Sequence, residues 1–158
     1  MKGQLSVNGA TQNRFGTIHF CPVCFQPTYI DDLLAQIPAV RLGADLKAVP
    51  EDGLKQLYNE ARDCSAAGAY TACVMVCRKI LMNLAVREGA AEGDSFVNYV
   101  TYLADRGYVP PKGKGWVDKI RQRGNDANHQ IALMSANDAA EVMKFVEALL
   151  RYNFELTG

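Results

Sequence analysis

The chain has 158 residues, 49 % of them hydrophobic and 22 % charged, with lysine plus arginine matching aspartate plus glutamate at 17 each. That is the size and apolar supply of one compact domain with a short appendage, and the balanced charge argues against a general polyanion-coating protein, so any nucleic-acid contact must come from a local patch. No leader-like start and no run of about 18 uncharged apolar residues is visible, which leads to the expectation of a soluble cytoplasmic protein with no membrane segment.

Residues 1–49 show little long-period patterning and carry Cys21, Pro22, Cys24, Pro27, Pro38 and Gly43, the punctuation of turns and short strands. We read them as an N-terminal extension to a helical domain over 50–158. Within it, "HFCPVC" has the Cys-x-x-C spacing that lets the Cys21 and Cys24 thiolates reach one zinc ion, as in half of a zinc ribbon. The second Cys-x-x-C of a ribbon is absent. A structural zinc would therefore draw on His19, a distant cysteine or the same knuckle of a second chain; the alternative is a metal-free hairpin left over from a ribbon. Five cysteines, an odd number spread through helix-like sequence, fit reduced thiols better than a disulfide framework.

From Pro50 the character changes. Pro50-Glu51-Asp52 suits a helix N-terminus and Gly68 a stop, predicting a first helix from Glu51 to Ala67. Ala69 to Val86 is apolar on most faces, with Arg78, Lys79 and Asn83 its polar interruptions, and is expected to be the central helix of a bundle. Cys73 and Cys77, four apart among Val74, Met75, Val76 and Ile80, read as small core residues rather than metal ligands, and Cys64 likewise.

Asp94 or Ser95 caps a third helix that Gly107 closes, and the prolines and glycines of "YVPPKGKG" interrupt regular helix. A fourth helix starts near Trp116. Ser135 and Asp138 open a final helix whose Ala139, Val142, Met143, Val146, Leu149 and Leu150 recur at helical spacing. Tyr99, Tyr102, Tyr108, Trp116, Phe145, Tyr152 and Phe154 are expected mostly in the core or a dimer interface. The fold class is all-α: a bundle of four or five helices behind a Cys-x-x-C extension.

The candidate chemistry lies in "DKIRQRGNDANHQI", residues 118–131. Gly124 breaks the fourth helix, and such a break presents side chains and free amides together, which suits a phosphate. His129 titrates near neutrality and moves protons, while an arginine offers a permanent cation with a fork matching phosphate oxygens. Together they suffice to cleave RNA without a metal. The plainer alternative is a Gly-Asn turn whose histidine closes hydrogen bonds to backbone. Lys112, Lys114, Lys119, Arg121 and Arg123 place five cations within twelve residues, a local patch where a phosphate backbone would land, or else a solvated loop.

Three segments, "EARDCSAAGAYTACVMVCRKILMNLAV", "WVDKIRQRGNDANH" and "DAAEVMKFVEALLRYNFEL", resemble in that order the bacterial domain of unknown function 4145, a branch of the HEPN superfamily of helical bundles, over roughly two thirds of the chain. The resemblance implies a HEPN-like bundle working as a homodimer, its motifs facing each other across the interface. It further implies metal-independent endoribonuclease activity in toxin–antitoxin, restriction or antiphage settings, with no cofactor. Arg123 and His129, five residues apart in between, are the formal arginine–histidine pair, and Asn125 is the polar residue beside it. In active members the arginine stands directly before the polar residue; here Gly124 does, with Arg121 and Arg123 upstream. The competing expectation is a non-catalytic module that dimerises or binds a protein partner in a defence or regulatory system.

Overall fold

The computed structural model describes residues 2–7, 10–22, 25–110, 113, 115–118, 120 and 133–156. The chain divides into two compact units, Met1–Val40 and Arg41–Gly158.

The first unit is a sheet of four strands in the order β1 (Lys2–Val7), β2 (Ala10–Phe20), β3 (Pro27–Asp31) and β4 (Gln36–Ile37), every neighbouring pair antiparallel. β2 is shared unequally: Ala10 to Phe15 pair with β1, and Gly16 to Phe20 with β3. Gly16 marks the changeover, and the ring of Tyr29 covers it so closely that a Cβ there would lie 2.3 Å from ring atoms. The aromatic thus fills the space of the side chain that glycine lacks. Asp31 closes the β3–β4 turn by accepting from the amides of Leu33 (2.9 Å) and Ala35 (2.7 Å).

The chain as a whole is therefore helix-rich with a small antiparallel sheet, and not all-α. Thr17, Ile18, Phe20, Thr28, Tyr29 and Ile30 are residues that fit a pleated surface, and here they extend beyond a turn-rich extension into a regular ladder.

The second unit packs α1 (Gly53–Ala66), α2 (Tyr70–Arg87), α3 (Phe96–Asp105) and α4 (Ala136–Phe154), with residues 115–118 and 120 also helical. Asp52 caps α1 by accepting from the Leu54 amide, so α1 begins at Gly53 rather than Glu51. Ser95, not Asp94, caps α3 through the Asn98 amide; Asp94 accepts instead from the Ser95 amide and the Asn98 side chain. α1, α2 and α3 all end alike. Gly68, Gly89 and Gly107 take left-handed φ, and the following residue's amide reaches back to Cys64, Ala85 and Leu103, forming a Schellman closure.

α2 is central, packing on α1, α3 and α4. Cys73, Cys77, Ile80, Leu81, Leu84 and Ala85 are wholly buried along it. Each large apolar side chain so buried contributes about 1.5–3 kcal/mol, which explains how a helix with no side-chain cap at Ala69 holds its place. Residues 41–49 belong to this unit too. Leu46 and Val49 are in its core, and Arg62 holds the segment by donating to the carbonyls of Leu42 (3.1 Å) and Gly43 (3.3 Å) and pairing with Asp45.

Candidate functional site

Lys112, Lys114, Lys119, Arg121, Arg123, Asn125 and His129 lie outside the described residues, as does Cys24. What the structure places is the frame on either side of the motif. Before it, the Gly113 amide donates to Pro110 O at 2.7 Å, and Gly113 O accepts from Trp116 and Val117. A Cβ at 113 would meet Val109 at 2.6 Å, so the turn entering this helical stretch requires glycine. Trp116 then sets its ring edge-on to Phe145 of α4, centroids 5.9 Å apart, and Val117 and Ile120 are buried in the core.

Beyond the motif the chain is fastened again at once. The Met134 amide donates to Thr71 Oγ1 at 3.0 Å, its side chain is buried, and Ser135 with Asp138 forms a reciprocal capping box that starts α4. Residues 121–132 thus run between two points tied to the same helical core, Ile120 and Met134.

Two buried arginines went unremarked as functional groups in the sequence reading, and they differ instructively. Arg62 is 7 % exposed and fully engaged, with two carbonyls, Asp45 and Asn59 as partners. Arg78 on α2 is 8 % exposed, its guanidinium carbon 4.2 Å above the Phe96 ring, and its buried Nη1 has no hydrogen-bond partner among the described residues. Burial pulls the Arg78 pKa down, yet an arginine stays charged at neutral pH. The sequence signalled it only as one of the polar interruptions, with Lys79 and Asn83, of a largely apolar helix.

Cys73 and Cys77 are core thiols, with Cys77 Sγ 3.3 Å from Met143 Sδ. The hydrogen bond with Cys73, then burial, push the Cys77 thiol well up. Cys64 is half-buried against the same core, and burial raises it too. Tyr99 and Tyr102 brace the α2–α3 connection through the carbonyls of Ala91 and Glu88, and Tyr108, Trp116 and Phe154 pack on the core.

In the sheet unit, Cys21 ends β2 in a tight loop: its amide donates to Gln26 O at 3.1 Å, and its carbonyl accepts from Phe25 N at 2.8 Å. His19, two residues earlier, is exposed and hydrogen-bonds Thr17 Oγ1 at 3.0 Å. Among the described residues no group of three or more His, Cys, Asp or Glu side chains is placed to hold a metal ion.

An open cleft of about 420 Å³ lies between α2 and the α2–α3 connection, with Lys79, Asn83, Arg87 and Glu92 around Met82, Val86 and Tyr99. Arg87 is already paired with Asp52. Among the described residues no helix is long and apolar enough to cross a membrane.

These features define a helical protein with a small antiparallel sheet at its N-terminal end. Residues 59–158, from the middle of α1 through α4 and including the whole motif, match the family described as Domain of unknown function (DUF4145), and the chain belongs to that family. No curated protein and no solved structure matches the chain.

Proposed function

We propose that the chain is a HEPN-like protein that handles RNA or nucleotide phosphate through the stretch around Asn125 and His129, and that its chemistry is metal-independent RNA cleavage by a homodimer in a bacterial defence or toxin–antitoxin setting. The observation that carries this reading is the fastening of the motif at both ends, at Ile120 and at Met134. Anchors on both sides keep the entry and exit of the stretch on the helical unit, as a site carried by that unit requires.

In this chemistry His129 removes the proton from a ribose 2′-hydroxyl; the 2′-oxygen attacks phosphorus, the P–O5′ bond breaks, and a histidine returns the proton to the leaving 5′-oxygen. The products are a 2′,3′-cyclic phosphate and a 5′-hydroxyl. Arg123 or Arg121 balances the charge gathering on the phosphorane, and Asn125 orients the histidine or holds a phosphate oxygen. Lys112, Lys114 and Lys119 attract the backbone. No cofactor takes part; a zinc at Cys21 and Cys24 would be structural, and metal analysis of the purified chain tests for it.

The deciding experiment is cleavage of a mixed-sequence labelled RNA in chelator by wild type and His129→Ala. Cyclic-phosphate ends from the wild type alone support the reading; equal cleavage by both overturns it. A second reading, an interaction module, is favoured by one observation: Phe15, Ile18, Phe20, Phe25, Leu34 and Ile37 of the sheet unit are each 48 % exposed or more. Large apolar side chains left this exposed are the material from which contact surfaces are made. Absence of cleavage by the wild type would move the function there.

A further inference from the structure

We propose that the outer edge of β2 from Gly16 to Phe20 is a pairing surface for a second copy of this chain, which adds its own Gly16–Phe20 antiparallel about a two-fold axis at Ile18. The inference concerns the sheet unit alone and does not rest on the reading of the motif.

Each half of β2 is paired on one side. β1 accompanies it from Ala10 to Phe15, and β3 from Gly16 to Phe20. Among the described residues, the edge of Gly16–Phe20 that faces away from β3 therefore has no partner strand. The ladder shows which backbone groups face that edge. The Cys21 amide donates to Gln26 O, so these two are a hydrogen-bonded pair, and the alternation of an antiparallel ladder makes His19–Thr28 and Thr17–Ile30 bonded pairs as well. The intervening positions agree. Pro27, opposite Phe20, has no N–H to give, and the Asp31 amide, opposite Gly16, donates away from β2 to Ala35 O. Gly16, Ile18 and Phe20 thus turn their N–H and C=O groups to the open edge.

Edges of this kind are ordinarily blunted by a charged side chain, a proline or a bulge. Gly16-Thr17-Ile18-His19-Phe20 contains no Lys, Arg, Asp, Glu or Pro, and Ile18 and Phe20 are 48 % and 67 % exposed. A charged strand finds no counter-charge there, whereas the edge matches itself. About the two-fold axis Ile18 meets Ile18, and Phe20 falls opposite Gly16 of the second copy. That glycine has no side chain to collide with it, so Phe20 comes beside the Tyr29 ring that covers the glycine. All three facing pairs, Gly16–Phe20, Ile18–Ile18 and Phe20–Gly16, are of the bonded kind, which gives about six hydrogen bonds between copies. So small a contact is weak and depends on concentration.

The test uses the full chain as wild type, Ile18→Lys and Ile18→Glu. In sedimentation equilibrium the mean mass of the wild type should double between about 10 μM and 1 mM. Each variant alone, with like charges opposed across the axis, should stay at the lower mass, and an equimolar mixture of the two should regain the higher one. Amide exchange read by NMR over the same range should slow at Ile18 and Phe20 as wild-type concentration rises, and stay constant at Thr17 and His19, which are bonded to β3. A wild-type mass that does not rise overturns the proposal. A rise undiminished in Ile18→Lys also overturns it, placing the contact elsewhere, and so does a rise lost in His129→Ala, placing it at the motif. A mixture that stays at the lower mass, with Thr17 and His19 still protected in both variants, overturns it in favour of a different strand as occupant. If the variants lose the sheet, wild-type exchange decides: Ile18 and Phe20 amides indifferent to concentration overturn the pairing, and amides slowed by it uphold it.

Discussion

Tyr58 of α1 donates its hydroxyl to the Ala44 carbonyl at 3.1 Å, and Gly43 passes so close that a Cβ there would lie 2.4 Å from the same hydroxyl oxygen. Gly43 also has φ +73°, a left-handed conformation that only glycine takes without cost. Gly43→Ala should therefore lose about 2–3 kcal/mol in urea unfolding, from strain and displaced ring together. Tyr58→Phe alone should lose about 1 kcal/mol. Combined, the two should cost less than their sum, because removing the hydroxyl leaves the nearest ring carbon at 3.5 Å from the new methyl. Strict additivity would show that the close approach is not what makes glycine necessary.

The same hydroxyl predicts an alkaline instability. Burial first, then the Glu147 charge, push Tyr58 up to about 12 from an ordinary value of 10. The folded protein holds this proton more tightly than the unfolded chain, so the stability it confers is fully present below pH 10 and lost as pH rises toward 12. The loss is about 2–3 kcal/mol by linkage. Tyr58→Phe should flatten that part of the profile, measured as the difference between the two proteins so that Tyr108 and the thiols cancel.

Arg62 predicts a local effect. It ties Leu42, Gly43 and Asp45 to α1, so Arg62→Met should speed amide exchange over residues 41–49 far more than within α2. The Arg62 hydrogen bond, with its charge, holds the Asp45 carboxyl below its usual range. Stability from that pair is present above the ordinary carboxylate pKa and lost as pH falls through the lowered one. Uniform exchange across the unit would sink this account.

The pattern of what the sequence disclosed follows from the range of the forces involved. The ends of α1 and α3 and the starts of α3 and α4 were legible because Gly68, Gly107, Ser95 and Ser135 act within a turn of their own positions. The central place of α2 was legible from its apolar faces. Residues 41–49 were assigned to the extension because their anchors, Arg62 and Tyr58, are 14 to 20 positions away in the chain. The ladder between β2 and β3 was visible only as strand-like composition. Arg78 was read as a polar interruption, since nothing local in the sequence says whether Phe96 or water will face a guanidinium. The motif itself remains legible only in the sequence, with Ile120 and Met134 as its structural boundaries.

The core thiols predict a labelling pattern. Cys73 and Cys77 are fully buried, and the hydrogen bond to Cys73 together with burial holds the Cys77 thiol protonated. Iodoacetamide at pH 8 should leave both unmodified in the folded chain and reach them only with global unfolding, as mass spectrometry of tryptic peptides would show. Rapid modification of Cys77 in native buffer would mean that the α2–α4 packing opens locally.

Thr71 joins stability to the proposed chemistry. Its Oγ1 accepts from the Met134 amide directly after the motif, one residue before the Ser135 cap of α4. Thr71→Val keeps the shape of the side chain and removes the acceptor, at a cost of about 1–2 kcal/mol for the stranded amide. Exchange at the Met134 amide should rise first. If fastening at Met134 positions His129, RNA cleavage should fall several-fold while global Tm drops by only a few degrees, and Ser135→Ala should act in the same direction through fraying of the first turn of α4. A Thr71→Val protein with faster Met134 exchange and unchanged cleavage would detach the anchor from the site, leaving Thr71 as a contributor to folding alone.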